Sequence, residues 1–405
     1  MHIKKAYKFK VYPDAKRQDE IDERLILAQQ LYNKLLEKTK SEYEKSKNSK
    51  INKSTLNRYM KEVINENRGF LKLYSQTRQE VFIRLQKAFQ NFFRRVKEKE
   101  LGKKVKAGFP RFKSRDRYRT LIYPQDNGSF SIEKDRLRVA RIGTMKIELH
   151  RKIEGRVKTL IIKKEVGNYY AIFTTIKEAE VPKIEDTKSV GIDLGLNSFI
   201  ALSDGKMIEK QKFMQEKKKR ITRWQKIVAK RHKGSKSREK AKLKLQREWE
   251  YINSQSNDYL HKLSNMLVNS GYTSFVVEKL NIQSMVKNHN LALAIYRASW
   301  NKFIRLLSYK AESAGMKVIE IDARDTSKQC SNCGNIQDMP LSKRIYICNR
   351  CGMQMDRDVN ASINILKRAT SGQEGSHAWG DSVRPQQEAV IAEPRTYSAD
   401  CRGSP

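Results

Sequence analysis

The chain has 405 residues, 84 of them Lys or Arg and 45 Asp or Glu, so its formal net charge at pH 7 is +39. Self-repulsion of that size opposes compaction, which favours a polyanionic partner such as a nucleic-acid backbone. No apolar stretch approaches the roughly 20 residues of a bilayer span and the first residues lack a signal-peptide core, so we expect an intracellular protein rather than a membrane or secreted one.

The first half of the chain predicts a helical bundle inserted in a β-domain. Residues 7–12 alternate apolar and basic side chains, which is typical of a half-exposed strand. Apolar residues at helical spacing follow Asp14 and predict further helices at about 54–65 and 76–98. Residues 119–180 predict short strands of a small antiparallel barrel or sandwich. We expect the N-terminal strand to join it, because a lone strand cannot satisfy its backbone groups.

The second half alternates strands and helices. Three antiparallel strands are followed by helix, strand, helix, strand and helix, which is the element order of an RNase H-like fold. The polar tail 371–405 is expected to be disordered. The predicted strands are Ser189–Asp193, 199–202, 206–210, Ser274–Glu278 and Lys317–Asp322, and the later helices are at about 293–314 and 359–368.

Three acidic residues lie where such a fold would bring them together. Asp193 ends the first of these strands, Glu278 ends the fourth, and Asp358 begins the last helix. In RNase H-like folds, acids on adjacent elements hold two divalent metals that activate water and stabilise the leaving oxygen of a phosphodiester. Hard oxygen ligands suit Mg²⁺ or Mn²⁺. Each acid alone could be a turn cap or a solvent-facing strand end, and Asp356 competes with Asp358.

The cysteines predict a zinc site. Cys330 and Cys333 form one Cys-x-x-Cys pair, and Cys348 and Cys351 form a second pair after 14 intervening residues. Two such pairs can supply four thiolates in a tetrahedral arrangement without an open position, which indicates one structural Zn²⁺. A redox pair or a chance pairing remains an alternative. The fifth cysteine, Cys401, is interpreted as incidental.

Two basic segments are candidate nucleic-acid contacts. Region 210–247 has 17 Lys or Arg and two Glu, and it predicts helix on either side of a break at Gly234. The density of cations favours a helix that lies along a nucleic-acid backbone. The alternative is a solvated surface helix, which is the usual role of a run of charged residues. The rings of loop 108–113 either stack bases or belong to the core. The candidate contacts are Phe109, Arg111, Phe112, Lys113, Lys217, Lys218, Lys219, Arg220, Arg223 and Arg231.

With these motifs in order, the chain resembles the TnpB (OrfB) proteins of small insertion sequences, relatives of the compact type V CRISPR effector nucleases. The resemblance covers about residues 1–370. It departs in small ways, since Ser362 stands where a second Ala is usual. It rests on the segments Gly108–Lys113, Gly191–Gly195, Val277–Asn281, Thr326–Gly334, Cys348–Gly352 and Asp356–Ala361.

The resemblance implies an RNA-guided DNA endonuclease. A noncoding RNA from the element's end is bound, its guide pairs with double-stranded target DNA, and a short motif beside the target is read by the protein. One RuvC site with two Mg²⁺ or Mn²⁺ ions then cuts both strands. Carried over by motif, the catalytic acids are Asp193, Glu278 and Asp358 rather than Asp356, and the zinc ligands are the four paired cysteines.

The resemblance also implies a stoichiometry, a location and a domain organisation. One protein monomer is expected to bind each RNA. The protein is expected in the prokaryotic cytoplasm, and at the nucleoid when it acts on DNA. The implied domains are a β-barrel wedge (1–12 and 119–184), a helical recognition domain (13–118), a RuvC nuclease domain (185–325 and 354–370), a zinc ribbon that binds target nucleic acid (326–353) and the tail (371–405).

Three alternative functions remain at this point. A nuclease-inactive RNA-guided repressor would have lost one or more acids, whereas this chain retains all three. A transposase proper would need DNA-end recognition and an assembly, for which the sequence gives no sign. A zinc-ribbon transcription factor would leave the RuvC-like motifs unexplained.

Overall fold

In the computed structural model, the N-terminal strand β1 (His2–Tyr12) lies in the middle of a seven-stranded antiparallel sheet. It pairs with β7 (Asn168–Glu178) along almost its whole length and with β5 (Gly143–Glu148) on the other side. The sheet forms a nearly closed barrel, so the prediction that the first strand joins a small antiparallel barrel is confirmed. The strand order is β2-β6-β7-β1-β5-β4-β3, with β2 at Thr120–Tyr123, β3 at Phe130–Glu133, β4 at Arg136–Val139 and β6 at Arg156–Glu165.

Three helices lie between β1 and β2: α1 (Ala15–Lys45), α2 (Lys53–Glu66) and α3 (Ser75–Glu100). Helix α1 begins after Asp14, whose carboxylate accepts a hydrogen bond from the backbone N–H of Arg17 at 2.8 Å. The apolar faces of the helices and the barrel interior form one hydrophobic core, so the bundle is an insertion in the β-domain, as predicted. Its fully buried side chains include Phe9, Leu31, Leu35, Leu85, Leu160 and Phe173.

The basic region forms a helical hairpin of α4 (Phe213–Lys230) and α5 (Lys236–Val268). Between them Gly234 adopts φ +88°, which confirms the predicted helix break. Arg220 Nη2 lies 2.6 Å from Glu248 Oε1 across the hairpin. The two helices are therefore antiparallel neighbours.

Two cation–π pairs continue that register along the hairpin. Lys217 Nζ lies 4.5 Å from the centroid of the Tyr251 ring, and Lys244 Nζ lies 4.9 Å from that of Trp224. The residue numbers of each pair add up to the same value as in the Arg220–Glu248 pair, as an antiparallel register requires. The only aromatic ring of α4 beyond its first turn is therefore engaged with α5.

A second sheet has five strands in the order β10-β9-β8-β11-β12. The first three are mutually antiparallel, whereas β8, β11 and β12 run parallel. The observed bounds agree with the predicted ones to within one or two residues. They are β8 at Ser189–Asp193, β9 at Ser198–Leu202, β10 at Met207–Glu209, β11 at Ser274–Glu278 and β12 at Lys317–Ile321.

Helices α6 (Trp300–Ser313) and α7 (Arg357–Ser371) accompany this sheet. Helix α7 packs closely on β8 at Gly191, where an added Cβ would lie 2.1 Å from the backbone oxygen of Ser362. Only glycine permits that approach. A short hairpin of β13 (Ile345–Ile347) and β14 (Gln354–Asp356) precedes α7.

The described residues fall into two compact units, one within 1–183 and 212–262 and the other within 184–211 and 263–371. The predicted helix start near 293 and the tail after 371 lie outside the described residues. Among those described, no helix is both long and apolar enough to cross a membrane. The structure describes residues 2–45, 51–124, 128–178, 188–196, 198–211, 213–280, 285, 299–322, 324–340 and 343–371.

Candidate active site and zinc site

Asp193 and Glu278 lie side by side at the carboxyl ends of two neighbouring parallel strands. The ladder between β8 and β11 pairs Ile192 with Val277, and the two acids are the next residues on their strands. Because side chains alternate between the faces of a sheet, both acids project to the same face. Ligands of open α/β sheets bind at this edge.

Asp358 approaches the same place from the first turn of α7. Its Oδ2 accepts a hydrogen bond from the Ser198 hydroxyl at 2.9 Å. An added Cβ on Gly195 would lie 3.4 Å from that oxygen and 2.6 Å from the backbone oxygen of Ser198. The glycine that follows Asp193 therefore leaves room for the loop and for the third carboxylate.

Asp356 has a different role. Its Oδ1 accepts hydrogen bonds from the backbone N–H groups of Asp358 at 2.8 Å and of Val359 at 3.3 Å. These contacts make Asp356 the N-terminal cap of α7. The capping role that the sequence left open for Asp358 thus belongs to Asp356, and the Asp358 side chain is directed toward Ser198 instead.

The three acids are electrostatically coupled. Burial raises the pKa of Asp193 well above its ordinary value, and the charges of Glu278 and Asp358 raise it further. Burial also raises the pKa of Glu278, although the Thr326 hydroxyl partly offsets the effect. A cation bound near these carboxylates would relieve this repulsion, and their oxygen atoms are the kind of ligand that a hard divalent metal prefers. The three carboxylates are not gathered within 4.8 Å of one another as the cysteine sulfur atoms are.

Asp193→Asn is expected to stabilise the protein in EDTA at pH 7.5. Because the pKa of Asp193 is higher in the folded than in the unfolded protein, its carboxyl group costs folding free energy in full above the folded-state pKa. This cost decreases as the pH falls below that value and vanishes only below the unfolded-state pKa. Differential scanning calorimetry should show a higher melting temperature, by roughly 2–4 °C for each kcal/mol of repulsion removed. The gain should shrink on acidification, and Mg²⁺ should raise the melting temperature of the wild type more than that of the variant.

Asp204→Asn provides a control of opposite sign. The pKa of Asp204 is lowered, because the Tyr272 and Lys206 side chains donate hydrogen bonds to its carboxylate and outweigh its burial. Its neutralisation should therefore lower the melting temperature. If Asp193→Asn were also destabilising in EDTA, the proposed repulsion among the acids would be wrong.

Three neighbours of the acids were not assigned roles from the sequence. The Thr326 hydroxyl donates to Glu278, 48 positions away in the chain. Arg344 Nη1 lies 3.8 Å from Asp358 Oδ2, and Ser198 donates to the same oxygen. These contacts join segments that are far apart in sequence, so no local pattern could have predicted them.

The four paired cysteines converge on one point. Their sulfur atoms all lie within 4.8 Å of one another, and in the described part of the chain no other group of three or more His, Cys, Asp or Glu side chains is gathered as closely. Cys330 Sγ lies 3.7 Å from Cys351 Sγ, and Cys333 Sγ lies 3.6 Å from Cys348 Sγ. A tetrahedron with Zn–S arms of about 2.3 Å has edges of about 3.8 Å, so the sulfurs fit a zinc ion. A disulfide would need about 2.05 Å.

Each Cys-x-x-Cys pair forms a knuckle closed by glycine. The Gly334 and Gly352 N–H groups donate to the carbonyls of Cys330 and Cys348 at 3.0 Å, and both glycines have positive φ. Backbone N–H groups, first that of Cys351, lower the pKa of the Cys348 thiol to about 6. The local structure therefore favours a thiolate at Cys348 before a metal is bound, whereas burial and the neighbouring thiols raise the pKa of Cys333 to about 11.

Helix α7 holds the first knuckle through one polar face. Asn360 accepts from the Ser331 N–H at 2.8 Å and donates to the Gln329 carbonyl at 2.7 Å. Asn364 donates to the carbonyls of Gln329 and Thr326 at 2.6 and 2.9 Å. The helix that carries Asp358 is thus hydrogen-bonded to the segment that supplies the first two cysteines.

The aromatic loop 108–113 divides between core and surface. The ring of Phe109 packs 5.2 Å from that of Phe89 and 5.1 Å from that of Phe92, which favours the core alternative for this residue. Phe112 is 54% exposed, which keeps the base-stacking alternative open for its ring. Arg111 is exposed, and the backbone of Lys113 is hydrogen-bonded to α1.

The candidate contacts on α4 also divide. Lys217 and Arg220 face α5 through the contacts described above, and Arg231 donates to the backbone oxygen of Ser237 at 2.5 Å. Lys218, Lys219 and Arg223 are exposed. The sequence therefore located the helix but could not separate its two faces.

Three family models match the chain. One described as the TNB domain of Cas12f1-like proteins matches residues 300–365, and the OrfB model described as a probable transposase matches 172–289. A model described as a helix-turn-helix domain matches 1–48, where the described residues form β1 and α1.

Curated relatives and a solved structure extend these matches. A protein of Streptomyces pristinaespiralis is 31% identical over 395 residues, which is 96% of this chain and 94% of the relative. A protein of Escherichia coli K12 is 28% identical over 308 residues, or 72% of this chain and 74% of the relative. Both are named as RNA-guided DNA endonucleases. A cryo-electron microscopy structure of a Cas12f1–sgRNA–target DNA complex covers 90% of this chain and 98% of that one, with 13% identity and a TM-score of 0.57.

The protein has a Cas12f-like fold, which combines the barrel, the inserted helices, the second sheet and the paired-cysteine module. At the level of sequence, the chain belongs to the TnpB (OrfB) family.

Proposed function

We propose that this protein is an RNA-guided DNA endonuclease that cuts both strands of its target at one RuvC-type acid site. The observation that carries the proposal is the placement of Asp193 and Glu278 on adjacent strand ends, with Asp358 reaching them from α7. The raised pKa of Asp193, which its two acidic neighbours share in causing, supports a cation site at this position. The names of the two bacterial relatives support guided DNA cleavage.

Two Mg²⁺ or Mn²⁺ ions would be held by these three carboxylates. When bound, such ions activate the attacking water and stabilise the leaving oxygen of the phosphodiester. The chain's own residues orient the ligands: Thr326 fixes Glu278, and Ser198 fixes Asp358. Arg344 places a positive charge beside the acids, where a scissile phosphate would enter.

The proposed partners are nucleic acids, and the proposed domains are those of the family. The net charge of +39 supports binding of a noncoding guide RNA and double-stranded target DNA. We keep the family's wedge, recognition, RuvC and zinc-ribbon assignment, with one protein monomer per RNA and a structural Zn²⁺ held by the four cysteines. Phe112, Arg111, Lys113 and the basic helix are the proposed nucleic-acid contacts.

Guided cleavage is tested by purifying the full-length chain and sequencing the RNA that accompanies it. We expect a defined RNA from the end of the encoding element. The complex should cut a DNA that matches the guide, with its adjacent motif, in Mg²⁺ or Mn²⁺ but not in EDTA, as read on a denaturing gel. A scrambled target of equal length is the control.

Other outcomes would identify the rival functions. Binding of matched DNA without cleavage in any divalent metal would indicate a guided repressor. Strand-transfer products joined to a second DNA would indicate a transposase. Cleavage that ignores the guide would contradict the RNA-guided proposal while leaving a nuclease.

A further inference from the structure

The two long faces of α4 differ in what their cations contact. On the inner face, Lys217 and Arg220 contact Tyr251 and Glu248 of α5, and Ile221 and Val228 of the same helix are buried. The outer cations are exposed and, among the described residues, no acidic side chain pairs with them. From Lys217 to Lys230 the sequence contains no acidic residue.

The outer face is a continuous basic surface. A shallow groove of about 670 Å³ follows it, lined among the described residues by Ile227 and by Lys218, Lys219, Thr222, Arg223, Lys226 and Lys230. Residues 219, 223, 226 and 230 have the spacing of one helical stripe and span roughly 16 Å along the axis. We call these six polar residues and Ile227 the outer α4 face.

We propose that the outer α4 face binds the phosphate backbone of double-stranded DNA without regard to sequence. The inference rests on the proposed function, because it names where such a nuclease holds duplex DNA. Four of the five cations of this face are Lys, which contact phosphates as point charges, whereas base reading relies on bidentate side chains such as Arg, of which this face has one. Lys226 and Lys230 belong to this surface although the sequence pattern did not single them out.

The composition of the face favours duplex DNA over other nucleic acids. Single strands bind through aromatic platforms, whereas none of the residues that define the outer α4 face is aromatic, and Trp224 is half-buried with Lys244 of α5 over its ring. RNA duplexes are recognised largely through their 2′-hydroxyls, and Thr222 is the one hydroxyl-bearing side chain among the described residues of this face, so the face offers few such contacts. A row of cations along a helix matches the regular charge of a DNA backbone.

The test is the salt dependence of duplex binding by the full-length chain with its co-purified RNA. Asp193→Ala is used throughout so that DNA is not cut. Dissociation constants for a 40-base-pair duplex unrelated to the guide are measured by fluorescence anisotropy from 50 to 200 mM NaCl. Arg223→Gln combined with Lys226→Gln and Lys230→Gln should reduce the slope of log K against log salt by about 2–3. The DNA affinity of the protein with an unchanged outer α4 face should then fall roughly 40-fold more than that of the triple variant over that range.

A charge-matched control lies on the same hairpin. Lys233→Gln combined with Lys236→Gln and Lys240→Gln removes the same charge from exposed positions outside the outer α4 face, and it should leave the slope nearly unchanged. An equal slope loss in both variants, or no loss in the first, would overturn the assignment. A selective loss of RNA rather than DNA affinity would also overturn it. Guided cleavage by the wild type is assayed separately, so failure of this inference is distinguishable from failure of the proposed nuclease function.

Discussion

Guided DNA cleavage should fall by about a thousandfold or more when Asp193 is replaced by alanine, a loss equivalent to about 4 kcal/mol of transition-state stabilisation. Asp193 ends β8 beside Glu278, and the charges of both other acids contribute to its raised pKa, so its loss should empty the proposed metal site. Cleavage rates in saturating Mg²⁺ measure the effect. Because the side chain ends a strand and leaves the basic surfaces untouched, RNA loading and matched-target binding should persist.

Two nearby acids at the start of α7, one in its first turn and one that caps it, provide a matched pair for the same assay. Asp358→Asn should abolish cleavage, because an amide is a poor substitute for an ionised metal ligand. Asp356→Asn should leave it nearly unchanged, because asparagine caps a helix as well as aspartate does. If both variants cut normally, or if Asp193→Ala still cut, the acid site would be wrongly assigned.

Removing two cysteines is the second change with a large expected effect. Zinc analysis of the wild type should give about one zinc per chain, and Cys330→Ser combined with Cys333→Ser should give none. Apart from its cysteines, the buried core of the ribbon consists of Tyr346 and Met339, so metal binding, worth roughly 10–16 kcal/mol in small zinc modules, must stabilise it. Loss of the knuckle should also reduce cleavage, because Thr326 would no longer hold Glu278.

Arg350→Ser is the control for that experiment. Arg350 lies within the second knuckle and is exposed, and only its backbone N–H contacts the Cys348 sulfur. Zinc content and thermal unfolding should therefore match those of the wild type. Well-folded wild-type protein without zinc, or a double-cysteine variant that retains it, would refute the zinc assignment.

Local patterns were sufficient wherever the controlling interactions were local. Short apolar runs that end in an acid predicted β8 and β11 at their observed bounds. The spacing within each cysteine pair predicted the sulfur cluster, because a knuckle is closed by its own backbone. The helix break at Gly234 followed from the same kind of local preference.

Contacts between distant segments could not be predicted in this way. The capping role of Asp356 became clear only from the path of the chain before α7, and the Thr326–Glu278 and Arg344–Asp358 contacts depend on how the ribbon folds back. The sequence alone could not divide the cations of α4 between a partnered face and an exposed face. Their difference arises from α5, whose Glu248 and Tyr251 select one side.

The polar face of α7 has a consequence for exchanging parts between family members. Asn360 and Asn364 bond to backbone atoms of residues 326–331, so they depend on the path of that segment rather than on its side chains. A ribbon from a relative could therefore differ widely in sequence and still dock on this helix. An insertion or deletion of one residue between Thr326 and Ser331 would shift every one of these partners. The side chains of the ribbon can thus differ between family members, but the number of residues between Thr326 and Ser331 is constrained.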